Sequence, residues 1–225
     1  MTTFVGMKKT IFLIVFTIIG VGITYYYIRP KEKKLPVINP VDVNEEMVDP
    51  EMLRVGYGHT IGNFSFKDQE GRTISNETVK DKIYVVEYFF TTCKSICPVM
   101  NKEMQRVHEA FGDDPDFRIL SFTVDPKTDT QEKMMQYAKD HGVDKGANWH
   151  FLTGNKDKLY NLARTSFFVL KPAEAENIGN GDEDFIHTNN FVLVDGEGRI
   201  RGYYDGTSEK EVDKLLHDIE LLKEE

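Results

Sequence analysis

The stretch Ile83-Tyr84-Val85-Val86-Glu87-Tyr88-Phe89-Phe90, running straight into Thr91-Thr92-Cys93-Lys94-Ser95-Ile96-Cys97-Pro98, decides how the chain is read. The first eight residues are β-prone without polar alternation, as expected of a strand covered on both faces. Pro98 then opens a helix, since proline is favoured in a first helical turn. Met100, Met104, Val107 and Phe111 follow at helical spacing.

Outward from this point the pattern alternates. Upstream, residues 63–75 read as a hairpin turning at Glu70-Gly71. Downstream come a strand over 117–124, a helix over 131–141, a strand over 149–152 and a helix from about 157 to 166. A hairpin pairs 191–194 with 199–204 around Gly196-Glu197-Gly198. The last helix starts at the capping box Ser208-x-x-Glu211 and carries the core stripe Val212, Leu215, Leu216, Ile219 and Leu222. This predicts an α/β domain with a central sheet and helices on both faces. Glu174 to Asp184 reads as an acidic, Gly-rich loop.

The N-terminal end is different in kind. Residues 11–28 (IFLIVFTIIGVGITYYYI) are uncharged, reach the length of a bilayer-spanning helix and end in three tyrosines suited to the headgroup layer. They read as a retained anchor. The signal-peptide alternative has only Gly20-Val21-Gly22 as a cleavage element. Four prolines among charged residues make 29–60 read as a stalk. The expected division is a tail over 1–10, a transmembrane anchor over 11–28, a stalk over 29–60 and a domain over 61–225.

With 225 residues, 28 basic and 37 acidic side chains and a net charge of −9, the chain is too short for a large multidomain machine. Its acidity argues against nucleic acid as a partner. The two cysteines are too few for a disulfide scaffold. Placed at a strand-to-helix turn, however, both sulfurs meet the unpaired N–H groups and positive dipole of a helix start. Those features favour thiolate, which is both nucleophile and metal ligand. Glu87 interrupts the apolar strand six residues before Cys93. In a doubly covered sheet its carboxylate is buried and its pKa raised, so it is placed to exchange protons with the cysteine pair.

Three segments, taken in order, resemble the SCO/SenC family. Phe90 to Pro98 is similar to its C-x-x-x-C-P signature. Ser121 to Thr130 is similar to its S-x-x-x-D-P-x-x-D-T segment. Phe185-Ile186-His187-Thr188 before Phe191 to Asp195 is similar to its histidine loop, with Ile186 where an acidic residue is common. The likeness covers roughly residue 60 to the C-terminus.

The resemblance implies a membrane-tethered, thioredoxin-like fold. It also implies copper held by Cys93, Cys97 and His187, as Cu(I) with Cu(II) as a second state. The expected acceptor is a cytochrome c oxidase subunit. Soft thiolates select Cu(I), with imidazole acceptable as a third ligand. Thiol–disulfide reduction by Cys93 and Cys97 is the competing class, and it would not need His187. Peroxide reduction lacks the upstream proline of peroxiredoxins. Asp125 and Asp129 read as turn and helix-cap residues.

Both functional classes place the domain on the extracytoplasmic, periplasmic side of a bacterial-type cytoplasmic membrane, crossed once. The basic residues Arg29, Lys31, Lys33 and Lys34 against Lys8 and Lys9 would by themselves keep it inside.

Overall fold

The computed structural model describes residues 3–28, 34–54, 56–170 and 188–225. They fall into two compact units, Met1–Lys34 and Leu35–Glu225. The first is one helix, α1 (Thr3–Ile28). The side chains at 12 and 14–25 are exposed all round it, and Thr24 Oγ1 donates to Gly20 O at 2.8 Å. Among the described residues no helix is long and apolar enough to cross a membrane.

In the second unit the described residues form a seven-stranded sheet ordered β2-β1-β5-β4-β3-β6-β7. The strands are β1 (Ser65–Asp68), β2 (Thr73–Ser75), β3 (Ile83–Phe89), β4 (Phe117–Thr123), β5 (Trp149–Thr153), β6 (Asn190–Val194) and β7 (Ile200–Asp205). The helices are α2 (Pro50–Leu53), α3 (Asn76–Val79), α4 (Cys97–Phe111), α5 (Gln131–Asp140), α6 (Lys156–Thr165) and α7 (Glu209–Lys223). β3 is central, parallel to β4 and antiparallel to β6. The β1–β2 turn closes at Gly71, whose φ of 78° suits a residue without a side chain. Thr130, Asn155 and Ser208 accept from the third N–H of α5, α6 and α7.

Strand parity divides the core in two. Val85, Phe89, Ile119, Trp149 and Phe151 pack under α4, α5 and α7. Tyr84, Val86, Tyr88, Leu120 and Phe122 pack against α6 and Phe167 to Leu170. Covered on both sides, β3 has every residue after Ile83 buried.

The segment read as a stalk is a correction. The compact unit begins at Leu35, and most of 29–60 is packed on it. Ile38 pairs with Ile200, Val48 is buried, and Val43, Met47, Met52 and Leu53 lie against the core. Pro40 and Pro50 start short helical turns rather than keeping the chain extended. Arg201, only 4% exposed, fastens the segment's start. It donates to Leu35 O (2.8 Å), Pro36 O (3.1 Å), Asp195 Oδ2 (2.9 Å) and Glu225 Oε2 (2.6 Å).

Candidate functional site

β3 and α4 meet in the loop that carries the cysteines. Cys97 is the first residue of α4 and is buried, while Cys93 is partly exposed; both are free thiols. Cys93 N donates to Phe90 O at 3.2 Å, closing a turn that brings its sulfur 3.6 Å from Ser95 Oγ. The two thiols stand four residues apart at the turn from β3 into α4.

Their acidities diverge. Burial works to raise the Cys93 pKa, but hydrogen bonds from Cys97 and Ser95 outweigh it and hold this thiol below its usual value. Cys97 is pushed well up by burial first, and then by its bond and charge interaction with Cys93. The pair therefore combines one thiol more acidic than usual with one less acidic than usual.

Glu87 shares the α4-facing side of β3 with Val85 and Phe89 and is 1% exposed. Ser121 Oγ donates to its Oε1 at 2.6 Å, and Trp149 Nε1 donates to Ser121 Oγ at 2.8 Å. Burial raises its pKa to about 7, partly offset by the Ser121 bond. The buried, raised carboxylate expected from the sequence is present.

Between its ordinary value of 4.5 and about 7, the folded chain holds a proton here that the unfolded chain has lost. This group's contribution to stability therefore falls as pH rises through that window. Glu87→Gln removes the titration. It should gain about 3 kcal/mol on wild type at pH 8 and nothing at pH 4. Denaturant midpoints at the two pH values measure this, and equal gains at both would remove the effect.

Two neighbours were given no part in the site by the sequence reading. Tyr137 of α5 meets Asn101 of α4 through its hydroxyl, and its ring lies 5.4 Å from that of Phe89. Burial raises its pKa, and the charges of Glu87, Cys97 and Cys93 raise it further. No sequence pattern pointed to it. Asp129 is not the cap of α5, because Thr130 is. Its carboxylate is fully buried and receives Thr91, two residues before Cys93. The D-P-x-x-D-T segment was the available signal. Asp125 does make the expected turn, accepting from Thr128 N.

His187 and the loop from Glu174 to Asp184 lie outside the described residues. Among the described residues no three His, Cys, Asp or Glu side chains gather as a metal site. The other histidines have structural surroundings or face solvent. His59 bonds Ser166 O, His141 bonds Tyr137 O, His150 bonds Asp68, His108 lies against Trp149 and His217 is exposed. What the described site offers a metal is two sulfur donors, which fits a soft monovalent ion better than a hard divalent one.

Residues 55–223 match the family model described as SCO1/SenC. A SCO1 protein homolog of Bacillus subtilis (strain 168) is 30% identical over 173 residues, 75% of this chain and 86% of that protein. A protein of Stutzerimonas stutzeri, provisionally named as copper-binding, is 27% identical over 168 residues, 72% of this chain and 78% of that one. The structure of BsSco is described as that of a member of the Sco family of cytochrome c oxidase assembly proteins, with a disulfide switch. It superposes with a TM-score of 0.59 at 29% identity, covering 73% of this chain and 93% of that one.

Proposed function

Because the chain belongs to the SCO1/SenC family and shares its thioredoxin-like fold, we propose that it is a membrane-anchored, extracytoplasmic copper chaperone. In this reading Cys93, Cys97 and His187 hold Cu(I), and a cytochrome c oxidase subunit accepts it. The observation that carries the reading is the pair of free thiols, Cys93 and Cys97, set where β3 turns into α4. Cys93 would lose its proton first. Cys97 would lose its own as copper binds, with Glu87 as the nearby buried group able to take a proton.

The test is a Cu(I) titration of reduced protein. His187→Ala should weaken binding by at least roughly the 10–100-fold that loss of a supporting residue costs, since it removes one of three donors, without changing stoichiometry. Unchanged affinity with persisting disulfide reduction would favour the second reading.

That second reading, thiol–disulfide reductase, draws on the divergent acidities. The Cys93 thiolate would attack a partner disulfide and release one partner thiolate. Cys97, deprotonated in turn, would then attack the mixed disulfide, releasing the second and leaving Cys93–Cys97 oxidised.

For the anchor, α1 supplies a continuous helix over 3–28, exposed apolar side chains such as Phe12, Phe16 and Ile19, and a Thr24 hydroxyl satisfied within its own helix. The domain is proposed to lie on the periplasmic side of a bacterial-type cytoplasmic membrane. An alkaline phosphatase fused after Glu225 should be active, whereas an expressed but inactive fusion would overturn this placement.

A further inference from the structure

The ends of β3 and β4 lie side by side, with Phe89 registered against Thr123 and Val124 N donating to Phe89 O at 2.9 Å. The loops leaving both strands therefore start together, and Asp129 joins them. Its Oδ1 accepts from Thr91 Oγ1 at 2.5 Å, and its two oxygens share Thr91 N at 3.2 and 3.3 Å. Thr123 Oγ1 donates to Oδ2 and in turn accepts Asp125 N at 2.9 Å. Asp125 O takes the N–H groups of Thr128 (3.1 Å) and Asp129 (2.9 Å), so the β4–α5 turn is braced independently of Thr91.

A fully buried carboxylate is costly to desolvate, and burial raises the pKa of this one. Its compensation comes from three hydroxyl and amide donors, and two of the three belong to Thr91. A residue serving only the turn or the α5 cap would have no need to reach across to the next loop.

We propose that Asp129 is a positioning residue for the thiol pair: by fixing Thr91 it fixes the Phe90–Cys93 turn, and so sets Cys93 against Ser95 and Cys97. The effect falls on the reactivity and redox poise of the thiols themselves. It therefore holds whether they serve metal or disulfide, and its failure is separate from failure of the copper reading.

The test uses the metal-free, full-length chain in detergent micelles. It measures the alkylation rate of Cys93 and the midpoint potential of the Cys93–Cys97 couple. Asp129→Asn and Thr91→Val should each slow alkylation several-fold. Each should also disfavour the reduced pair by about tenfold, the scale of one charge-assisted hydrogen bond, which moves the potential about 30 mV more negative. Thr91→Ser, which keeps the hydroxyl, should restore both. The double variant should add little to either single change, because the two residues act through one contact.

Thr130→Ala removes the cap of α5 without touching Thr91 and should lower the melting temperature while leaving rate and potential alone. A folded Asp129→Asn or Thr91→Val with wild-type rate and potential overturns the proposal, as does an equal shift from Thr130→Ala. If Asp129→Asn does not fold, Thr91→Val carries the same test with no change of charge.

Discussion

Serine at Cys93 or at Cys97 should abolish tight Cu(I) binding, each by well over the ~10–100-fold that loss of a supporting residue costs at a metal site. A hydroxyl is a harder donor and stays protonated near neutrality, so either change leaves one soft ligand where two were adjacent. The two variants should nonetheless differ in their thiol chemistry. Cys97→Ser keeps the partly exposed Cys93 with Ser95 Oγ beside its sulfur, and it should remain readily alkylated. Cys93→Ser leaves only the buried thiol with the raised pKa, which should react slowly. Competition against a Cu(I) chelator of known affinity measures the first effect and timed alkylation the second. A Cys97→Ser protein that competes as well as wild type would sink the shared site.

Removing residues 1–60 should unfold or nearly unfold the domain, whereas a chain beginning at Leu35 should melt as the intact protein does. The shorter form loses the buried Val48 and the packing of Ile38, Met47, Met52 and Leu53. It also loses the Leu35 and Pro36 carbonyls that Arg201 uses and the buried His59 ring that bonds Ser166 O. At about 1.5–3 kcal/mol for each fully buried apolar side chain, and less for the half-buried ones, the loss is on the order of 5 kcal/mol. Domains of this kind have only about 5–15 kcal/mol in total. Denaturant unfolding of the two truncations side by side reads the difference, and matching midpoints would return 35–60 to the status of a linker.

The contrast between these segments shows what a sequence makes legible. Ile83 to Phe90 could be read because a doubly buried strand must be apolar at every position. The single exception, Glu87, announced itself by breaking that rule. Helix starts were legible because capping is local: Thr130 and Ser208 act within three residues of themselves. Residues 35–60 were misread because proline fixes φ and removes a donor in a stalk and in a packed strap alike. The information that separates them lies in partners such as Ile200 and Arg201, more than a hundred residues away. Asp129 was misread for the same reason. Beside a helix start an aspartate looks like a cap, and only the folded chain brings Thr91 to it across 38 positions. Tyr137 of α5 meets Asn101 of α4 across 36 positions, a contact with no local signature.

The chain has one tryptophan, and its indole N–H donates to the same Ser121 hydroxyl that donates to Glu87. That arrangement makes Trp149 a built-in optical gauge. Any change in the ionisation of Glu87 redistributes charge along a two-bond path ending on a fully buried fluorophore. The emission of unlabelled protein should therefore follow the carboxylate through its titration near pH 7, and Ser121→Ala should disconnect the signal while leaving the carboxylate in place.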